Sequence, residues 1–166
     1  MAWETPKTWA SEPLTSIDLN EQVRDNLNHL KDRFDGTSAA AQYISTSDYS
    51  TSGTAWVDVD STNMALTITT TGGDVLVTAN GNVSNNNDSR TAYIGVDVDS
   101  GADFAQLYEQ KEGVDGIHSF GSSWIFTGLS AGSHTFKLQW KLSYSRTRKM
   151  YTGALFDVRE VVGRVA

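Results

Sequence analysis

Thr135–Leu142, with the sequence TFKLQWKL, alternates apolar and polar residues without a break. A period of two is typical of a β-strand that buries one face and exposes the other. The four apolar residues of this stretch predict an inward face, and its two lysines and one glutamine predict a face in solvent. The stretch therefore predicts an antiparallel sheet that packs against a core on one side only.

The same alternation recurs through most of the chain, with turn residues between the strands. Further strands are predicted at residues 43–46, 56–60, 64–70, 74–83, 92–99, 104–109, 122–127 and 151–161. Thr71–Asp74, with the sequence TGGD, is predicted to join two of them as a tight hairpin. Eight or nine short strands with one polar face each predict a mainly β protein, an antiparallel β-sandwich of the jelly-roll type.

One amphipathic α-helix is predicted ahead of the strands, over residues 15–35. Thr15 is the predicted N-cap, and Gly36 is placed to take the left-handed conformation that ends a helix. Apolar residues spaced by three and four form one stripe on its surface: Leu19, Val23, Leu27, Leu30 and Phe34. A single helix cannot bury such a stripe alone. We expect the stripe to pack on its own domain, on other copies of the chain or on a partner protein.

The chain is predicted to have two parts, with residues 1–36 as an N-terminal anchoring arm and helix and residues 37–166 as the jelly-roll β domain. The arm contains two large apolar side chains, Trp3 and Trp9. Tryptophan is enriched among the residues that dominate protein interfaces. These two tryptophans and the helix stripe are therefore the candidate anchoring and oligomerisation residues.

Composition excludes several classes of function. The 166 residues have a formal net charge of −7, which argues against binding to nucleic acid or to anionic lipid. There is no cysteine, so disulfides and cysteine-ligated metals are excluded. No apolar run approaches the length of a membrane span, and residues 1–6 lack the basic start and apolar stretch of a signal peptide. We expect synthesis in the cytoplasm of the producing cell and no membrane insertion.

The sequence predicts neither an enzyme nor a cofactor, because no nucleophile elbow, P-loop, dinucleotide fingerprint or zinc-protease motif occurs in it. No metal site is predicted either. The candidate closest to one is formed by Asp97, Asp99 and Asp103, which could offer carboxylate oxygens to Ca²⁺. This segment lacks the glycine and glutamate spacing of an EF-hand. Aspartates that point to solvent from a strand end are the simpler interpretation.

The basic residues of Tyr144–Tyr151 form a cluster in an acidic chain. Arg146, Arg148 and Lys149 could bind an anionic glycan, a phosphate or an acidic neighbour. The structural alternative is a solvated hairpin tip. Several aromatic residues could in addition stack on a sugar: Trp56, Tyr93, Tyr108, Trp124 and Trp140, of which Trp140 has the phase of a core residue.

Three segments of the chain resemble a family of small virion proteins of tailed bacteriophages. The first is the N-terminal segment from Trp9 to Lys31. The others are residues 65–77 (ALTITTTGGDVLV) and 128–140 (GLSAGSHTFKLQW). The resemblance implies a phage structural protein on the virion surface, with other capsid or tail proteins as partners. It also implies a homotrimeric knob of the tumour-necrosis-factor and complement type.

Two roles fit this resemblance. The first is a non-enzymatic surface knob, anchored by its arm and helix, that decorates the capsid or forms a short spike. A helix of roughly 30 Å is too short for a long fibre shaft, which favours this role. The alternative is a tail-fibre or tail-tip adhesin that recognises a host-surface carbohydrate, with loops at residues 82–89 and 144–151 as its binding surface.

Overall fold

A computed structural model of the chain describes residues 23–24, 27, 39–85, 91–101, 103–110, 116–144 and 147–161; for residues 85, 103, 104 and 107–110 it describes the backbone alone. The chain divides into two compact units, Met1–Thr37 and Ser38–Ala166. Val23, Arg24 and Leu27 have helical backbone. Most of the predicted helix over residues 15–35 lies outside the described residues, as do Trp3 and Trp9, so the helix and the arm stay predictions.

The described part of the second unit contains eleven strands. In chain order they are β1 (Ala40–Ile44), β2 (Tyr49–Thr51), β3 (Val57–Asp58), β4 (Ala65–Thr70), β5 (Asp74–Asn85), β6 (Ala92–Val98), β7 (Asp103–Gln110), β8 (Gly116–Phe126), β9 (Gly132–Leu142), β10 (Arg148–Met150) and β11 (Leu155–Val161). The unit is mainly β, as the alternation predicted.

These strands form two antiparallel sheets. Sheet A has the order β1-β11-β5-β8, and β10 and β2 extend it beside the end of β5. Sheet B has the order β3-β9-β6-β7, and β4 also pairs with β9. The longer pairings are nested along the chain: β1 with β11, β4 with β9, β5 with β8 and β6 with β7. Nested pairing of this kind is the topology of a jelly roll.

The hydrophobic core lies between the two sheets. Val77 of sheet A and Val96 of sheet B belong to one cluster of buried side chains. Phe126 of β8 and Phe136 of β9 meet edge to face across the core, with their ring centroids 5.8 Å apart. The inward face predicted for Thr135–Leu142 is confirmed, since its four apolar side chains are all buried. Each such side chain contributes about 1.5–3 kcal/mol to folding.

The predicted hairpin at Thr71–Asp74 is wrong in one respect. The turn exists, and Gly72 has the left-handed φ of +95° that favours glycine. It joins β4 of sheet B to β5 of sheet A, however, so its two strands are not paired with each other. The carboxylate of Glu160 holds the turn, because its Oε1 accepts hydrogen bonds from the Thr71 N–H (2.8 Å), the Thr71 hydroxyl (2.8 Å) and the Gly73 N–H (2.9 Å).

The two ends of the sandwich contain different connections. The chain enters the sheets at Ala39, whose carbonyl accepts the N–H of Glu160 at 2.8 Å. The β4–β5, β6–β7 and β8–β9 connections lie at this end, which we call the base. At the opposite, distal end lie the last residues of β5, β7 and β9 and the first residues of β6 and β8: Asn85, Gln110, Leu142, Ala92 and Gly116.

Gly81 marks the tightest contact of the core, midway along β5. A Cβ at this position would lie 2.9 Å from the Cβ of Ala154 and 3.1 Å from the ring of Phe120. We expect Gly81→Ala to destabilise the domain by about 1–3 kcal/mol, because overpacking forces the neighbouring backbone to move. Gly121→Ala on β8 is the matched control, since its Cβ would meet only the Cβ of Asn80, at 3.8 Å. Urea unfolding compares the two variants, and equal stabilities would contradict the prediction.

Candidate interaction surfaces

The outer face of sheet A is the side turned away from the core. It is formed by residues that alternate with buried ones along four neighbouring strands. Its described side chains include Ala40, Gln42, Ile44, Leu76, Thr78, Asn80, Ile117, Ser119, Ser123, Ile125, Leu155, Asp157 and Arg159. Small polar and aliphatic residues dominate this set, whereas an ordinary solvated face is rich in charges.

Large apolar side chains are exposed at both edges of sheet A. On β1, at one edge, Ile44 is 53% exposed. On β8, at the other edge, Ile117 is 62% exposed, and Trp124 and Ile125 are each 49% exposed. Two strands lie between these edges, which places them about 14 Å apart at the usual spacing of strands. Exposed apolar groups at both edges make this sheet a candidate interaction surface.

Three pairs of polar side chains on the outer face of sheet A are hydrogen-bonded to one another. The pairs are Thr78 with Ser123 (2.9 Å), Ser119 with Asn82 (2.8 Å), and Arg159 with Asp157 (2.8 and 2.7 Å). Burying a polar group that already has a hydrogen-bond partner costs less free energy than burying an unpaired one. This face can therefore be covered at a low cost in desolvation.

The formal charges of the same face nearly cancel. On its four strands the described charged residues are Asp74, Asp157 and Arg159. Lys149 of the neighbouring strand β10 adds a positive charge, and its ammonium lies 3.9 Å from the carboxylate of Asp48. The whole chain has a net charge of −7. The outer face of sheet A is thus a nearly neutral surface on an acidic protein.

The outer face of sheet B is different, because charged groups occupy its centre. The Lys141 ammonium lies 4.8 Å from the ring centroid of Trp56 and 5.0 Å from that of Tyr93, and the two rings meet edge to face at 6.5 Å. Nearby, Gln139 donates a hydrogen bond of 2.7 Å to Asp58. A lysine that already interacts with both rings competes with a sugar for the ring faces that stacking would need.

The other aromatic candidates for sugar stacking are scattered. Trp140 is buried in the core, as its phase predicted, and Trp124 lies on the edge strand β8. The side chain of Tyr108 lies outside the described residues. The described aromatic residues therefore do not form one platform.

The three aspartates proposed for Ca²⁺ have different surroundings. Asp97 is buried on the outer face of sheet B beside Lys137, and burial raises the pKa of its carboxyl. Asp99 uses both carboxylate oxygens: Oδ1 accepts the Thr135 N–H at 2.8 Å, and Oδ2 lies 2.6 Å from Nδ1 of His134. Burial acts to raise the pKa of Asp99, but these hydrogen bonds outweigh it and lower the pKa. The side chain of Asp103 lies outside the described residues.

A cation at this segment would compete with His134 and Thr135 for the carboxylate of Asp99. Within the part of the chain that the structure describes, no group of three His, Cys, Asp or Glu side chains is placed to hold a metal ion. His134 also has no free ring nitrogen for general-base chemistry, because its Nε2 lies 2.8 Å from the carbonyl oxygen of Ser130.

The basic cluster of Tyr144–Tyr151 does not form a single loop, since β10 begins at Arg148. Arg148 is only 5% exposed and donates from Nη1 to the carbonyl of Ser84 at 2.9 Å, so this guanidinium is not available to a ligand at the surface. Lys149 is exposed, with its ammonium 3.9 Å from Asp48. Arg146 lies outside the described residues. The expected three-residue binding loop therefore loses one of its members.

The exposed apolar residues on β8 were not predicted, although the sequence contains a signal for them. Trp124, Ile125 and Phe126 are three consecutive apolar residues. A strand with one face in the core can bury the first and third of these but must turn the second outwards. Ile125 is accordingly exposed, and Trp124 is half-exposed because β8 is an edge strand.

No model of a known protein family matches the chain, and neither does the sequence of any curated protein. The chain is similar to the solved structure of Eiger TNF from S. frugiperda, with 12% sequence identity and a TM-score of 0.49. That match covers 76% of this chain and 94% of the other. Identity and score this low say nothing about partners or function.

No helix among the described residues is long and apolar enough to cross a membrane. Val23 and Leu27, the described members of the predicted helix stripe, are exposed.

We expect Ca²⁺ at millimolar concentration to leave the thermal stability of the protein unchanged, because Asp99 is already committed to His134 and Thr135. Differential scanning calorimetry with and without Ca²⁺ measures this, with NaCl at equal ionic strength as the control. A ligand at one hundred times its Kd stabilises a protein by about 2.7 kcal/mol. A rise in Tm of several degrees that only Ca²⁺ produces would therefore contradict the prediction.

Proposed function

We propose that this chain is a non-enzymatic virion structural protein of a tailed bacteriophage. In this proposal it forms a homotrimeric surface knob that the N-terminal arm and helix hold to the particle, as capsid decoration or a short spike. The outer face of sheet A, nearly neutral and with apolar edges, supports self-association. The resemblance of residues 9–31, 65–77 and 128–140 to small phage virion proteins supports the place on a particle.

Charge favours a second copy of the chain as the molecule that covers the outer face of sheet A. Each copy has a net charge of −7, so two copies repel each other over most of their surface. Repulsion is weakest where the local charge is small, as on the outer face of sheet A. The same face also offers exposed isoleucines and polar groups whose hydrogen bonds are already made.

A ring of copies fits the distribution of apolar residues better than a two-fold dimer. In a dimer one patch meets its own copy, whereas in a ring each subunit offers two different surfaces. Sheet A has an apolar group at each edge, Ile44 on β1 and the Ile117–Ile125 segment on β8. Contact of the β8 edge of one copy with the β1 side of the next would use both groups.

The entry point of the chain supports an anchor at the base. Ala39, the first described residue before β1, lies at the end that contains the β4–β5, β6–β7 and β8–β9 connections. An arm and helix bound to a particle would therefore attach the knob by its base. The distal connections would then be directed away from the particle.

The first test is the oligomeric state. We expect light scattering on the purified chain at micromolar concentration to give three times the chain mass of 18.1 kDa. Ile125→Lys places a charge on the apolar edge of β8 and should weaken association at least about tenfold, which corresponds to 1.4 kcal/mol. Thr69→Lys adds the same charge to the exposed outer face of sheet B and serves as the matched control.

A folded monomer at micromolar concentration would contradict the trimer. Equal weakening by Ile125→Lys and Thr69→Lys would contradict the choice of sheet A as the interface, even if the trimer itself exists. Circular dichroism checks that both variants keep the β domain folded.

The second test is made on particles. We expect mass spectrometry to find the chain in purified virions of the phage that encodes it. Deletion of residues 1–12 should leave the β domain folded but remove the protein from the particles, since Trp3 and Trp9 belong to the proposed anchor. Normal incorporation of the truncated chain would show that the arm is not the anchor.

The number of copies per particle separates capsid decoration from the alternative role. A copy number that follows the number of capsid subunits supports decoration. A few copies per particle would place the protein at the tail and favour a receptor-binding adhesin that recognises a host-surface glycan.

A further inference from the structure

His134 connects three segments at the base of the sandwich. It begins the alternating part of β9 and is 8% exposed. Its Nδ1 lies 2.6 Å from Oδ2 of Asp99 in the β6–β7 connection, and its Nε2 lies 2.8 Å from the carbonyl oxygen of Ser130 in the β8–β9 connection. The Ser130 carbonyl also accepts the hydroxyl of Thr70 at the end of β4, at 2.9 Å.

The two atoms that face the imidazole ring are both hydrogen-bond acceptors. A neutral imidazole has one N–H, so it can donate to one of them and must turn a lone pair towards the other. An imidazolium has two N–H groups and can satisfy both. The hydrogen bond to Asp99 raises the pKa of His134, and the bond to the Ser130 carbonyl adds to this, whereas burial opposes it. Geometry and charge therefore favour the protonated ring in the folded protein.

The β6–β7 connection needs external support. Asp99 and Ser100 have left-handed φ values of +50° and +61°, which are unfavourable for residues other than glycine, and Gly101 follows with +99°. This backbone is held by reciprocal contacts with Thr135, whose carbonyl accepts the Asp99 N–H at 3.0 Å and whose N–H donates to Asp99 Oδ1 at 2.8 Å. Because the same carboxylate binds His134, the protonation of the ring and the position of the turn are linked.

Other charged groups near His134 lie farther from its ring nitrogens. On β6, Asp97 faces the outer side of sheet B beside Lys137 of β9, whose ammonium is 3.5 Å from the Ser100 hydroxyl. On β11, Glu160 is hydrogen-bonded to the β4–β5 turn. β4 and the β8–β9 connection contain no titratable residue, and β7 contributes Asp103 at its start. Asp99 is thus the described charged group that contacts the ring directly.

We propose that His134 is a protonation-dependent latch. In its protonated form it ties the β6–β7 turn to the β8–β9 connection; on losing its proton it keeps one of the two hydrogen bonds and no longer holds the carboxylate of Asp99 by charge. The base of the knob is then firm below the folded-state pKa of His134, as long as Asp99 is ionised, and loosens as the pH rises through that pKa, while the core between the sheets stays packed.

The direction of the pH dependence follows from the pKa of His134. The folded-state pKa lies above the ordinary value of 6.5. The stabilisation by the latch is therefore fully present below pH 6.5 and is lost as the pH rises through the folded pKa. A histidine with a depressed pKa would give the opposite trend.

Nuclear magnetic resonance on the full chain tests the latch directly. At pH 6.5 we expect ¹⁵N shifts that show protons on both ring nitrogens of His134, and a titration midpoint above 6.5. Over that titration the protection factors of the Asp99 and Thr135 amides against hydrogen exchange should fall at least about tenfold. The exchange rates are first corrected for the intrinsic effect of pH. The amide of Leu138, which donates to the Met64 carbonyl in sheet B, should keep its protection. A neutral ring at pH 6.5, or unchanged protection at Asp99 and Thr135, would overturn the proposal.

Two variants separate the latch from a general effect of histidine titration. His134→Gln should abolish the loss of thermal stability above pH 6.5, whereas His118→Gln on β8, the matched control, should retain it. If His118→Gln removes the pH dependence instead, the latch is refuted. Asp99→Asn should lower the pKa of His134, because it removes the charge that stabilises the imidazolium. The measurements on the unaltered chain decide the question even if a variant fails to fold.

Discussion

Strand β5 is hydrogen-bonded on both sides, to β8 from Val75 to Asn85 and to β11 from Asp74 to Asn80. Its backbone groups are therefore committed along most of its length, and the strand cannot shift without breaking pairs on both sides. Its inward side chains must fit what faces them, and at Gly81 the space is filled by Ala154 and Phe120. The two apolar edges of sheet A keep their separation because β5 fixes both of its neighbours. The proposed interface is thus a consequence of how the core is built.

The polar groups of the two outer faces differ in their partners and in their contact with water. On sheet A, hydroxyl and amide side chains pair with one another, and the one central carboxylate, Asp157, is matched by Arg159. On sheet B, Lys141 and Lys137 lie above aromatic rings and carboxylates and remain partly in water. Removing water from a lysine ammonium costs far more than removing it from paired hydroxyls. Sheet A is therefore the face that a second molecule can cover.

The alternation of apolar residues predicted the sandwich because the period of two is local. It placed the inward face of Thr135–Leu142 correctly, and turn chemistry located the reversal at Thr71–Asp74. Strand pairing depends on contacts between residues far apart in the chain, so the sequence did not show that this turn crosses between sheets. The alternation of apolar residues and the turn residues together predict where the strands are. The order of the strands in the sheets can be read only from the structure.

The candidate site was harder to predict than the fold, for a related reason. Arg148 was expected at the surface because charged residues are seldom buried. It is buried because the carbonyl of Ser84, 64 residues earlier in the chain, accepts its hydrogen bond. His134 and Asp99 are separated by 35 residues, and their contact likewise depends on the pairing of β6 with β9. The exposure of Ile125 could have been predicted from sequence, since three apolar residues in a row on a strand cannot all face one core.

Charge also bears on the choice between decoration and adhesion. If the nearly neutral face of sheet A is covered by neighbouring copies, the charge of −7 per chain is concentrated on the outside of the ring. An acidic exterior repels anionic glycans and nucleic acid and favours neutral or basic partners. Of the described basic residues in Tyr144–Tyr151, Arg148 is buried against Ser84, and Lys149 lies near the carboxylate of Asp48. The described charges thus support the decoration role that we propose over recognition of an anionic receptor.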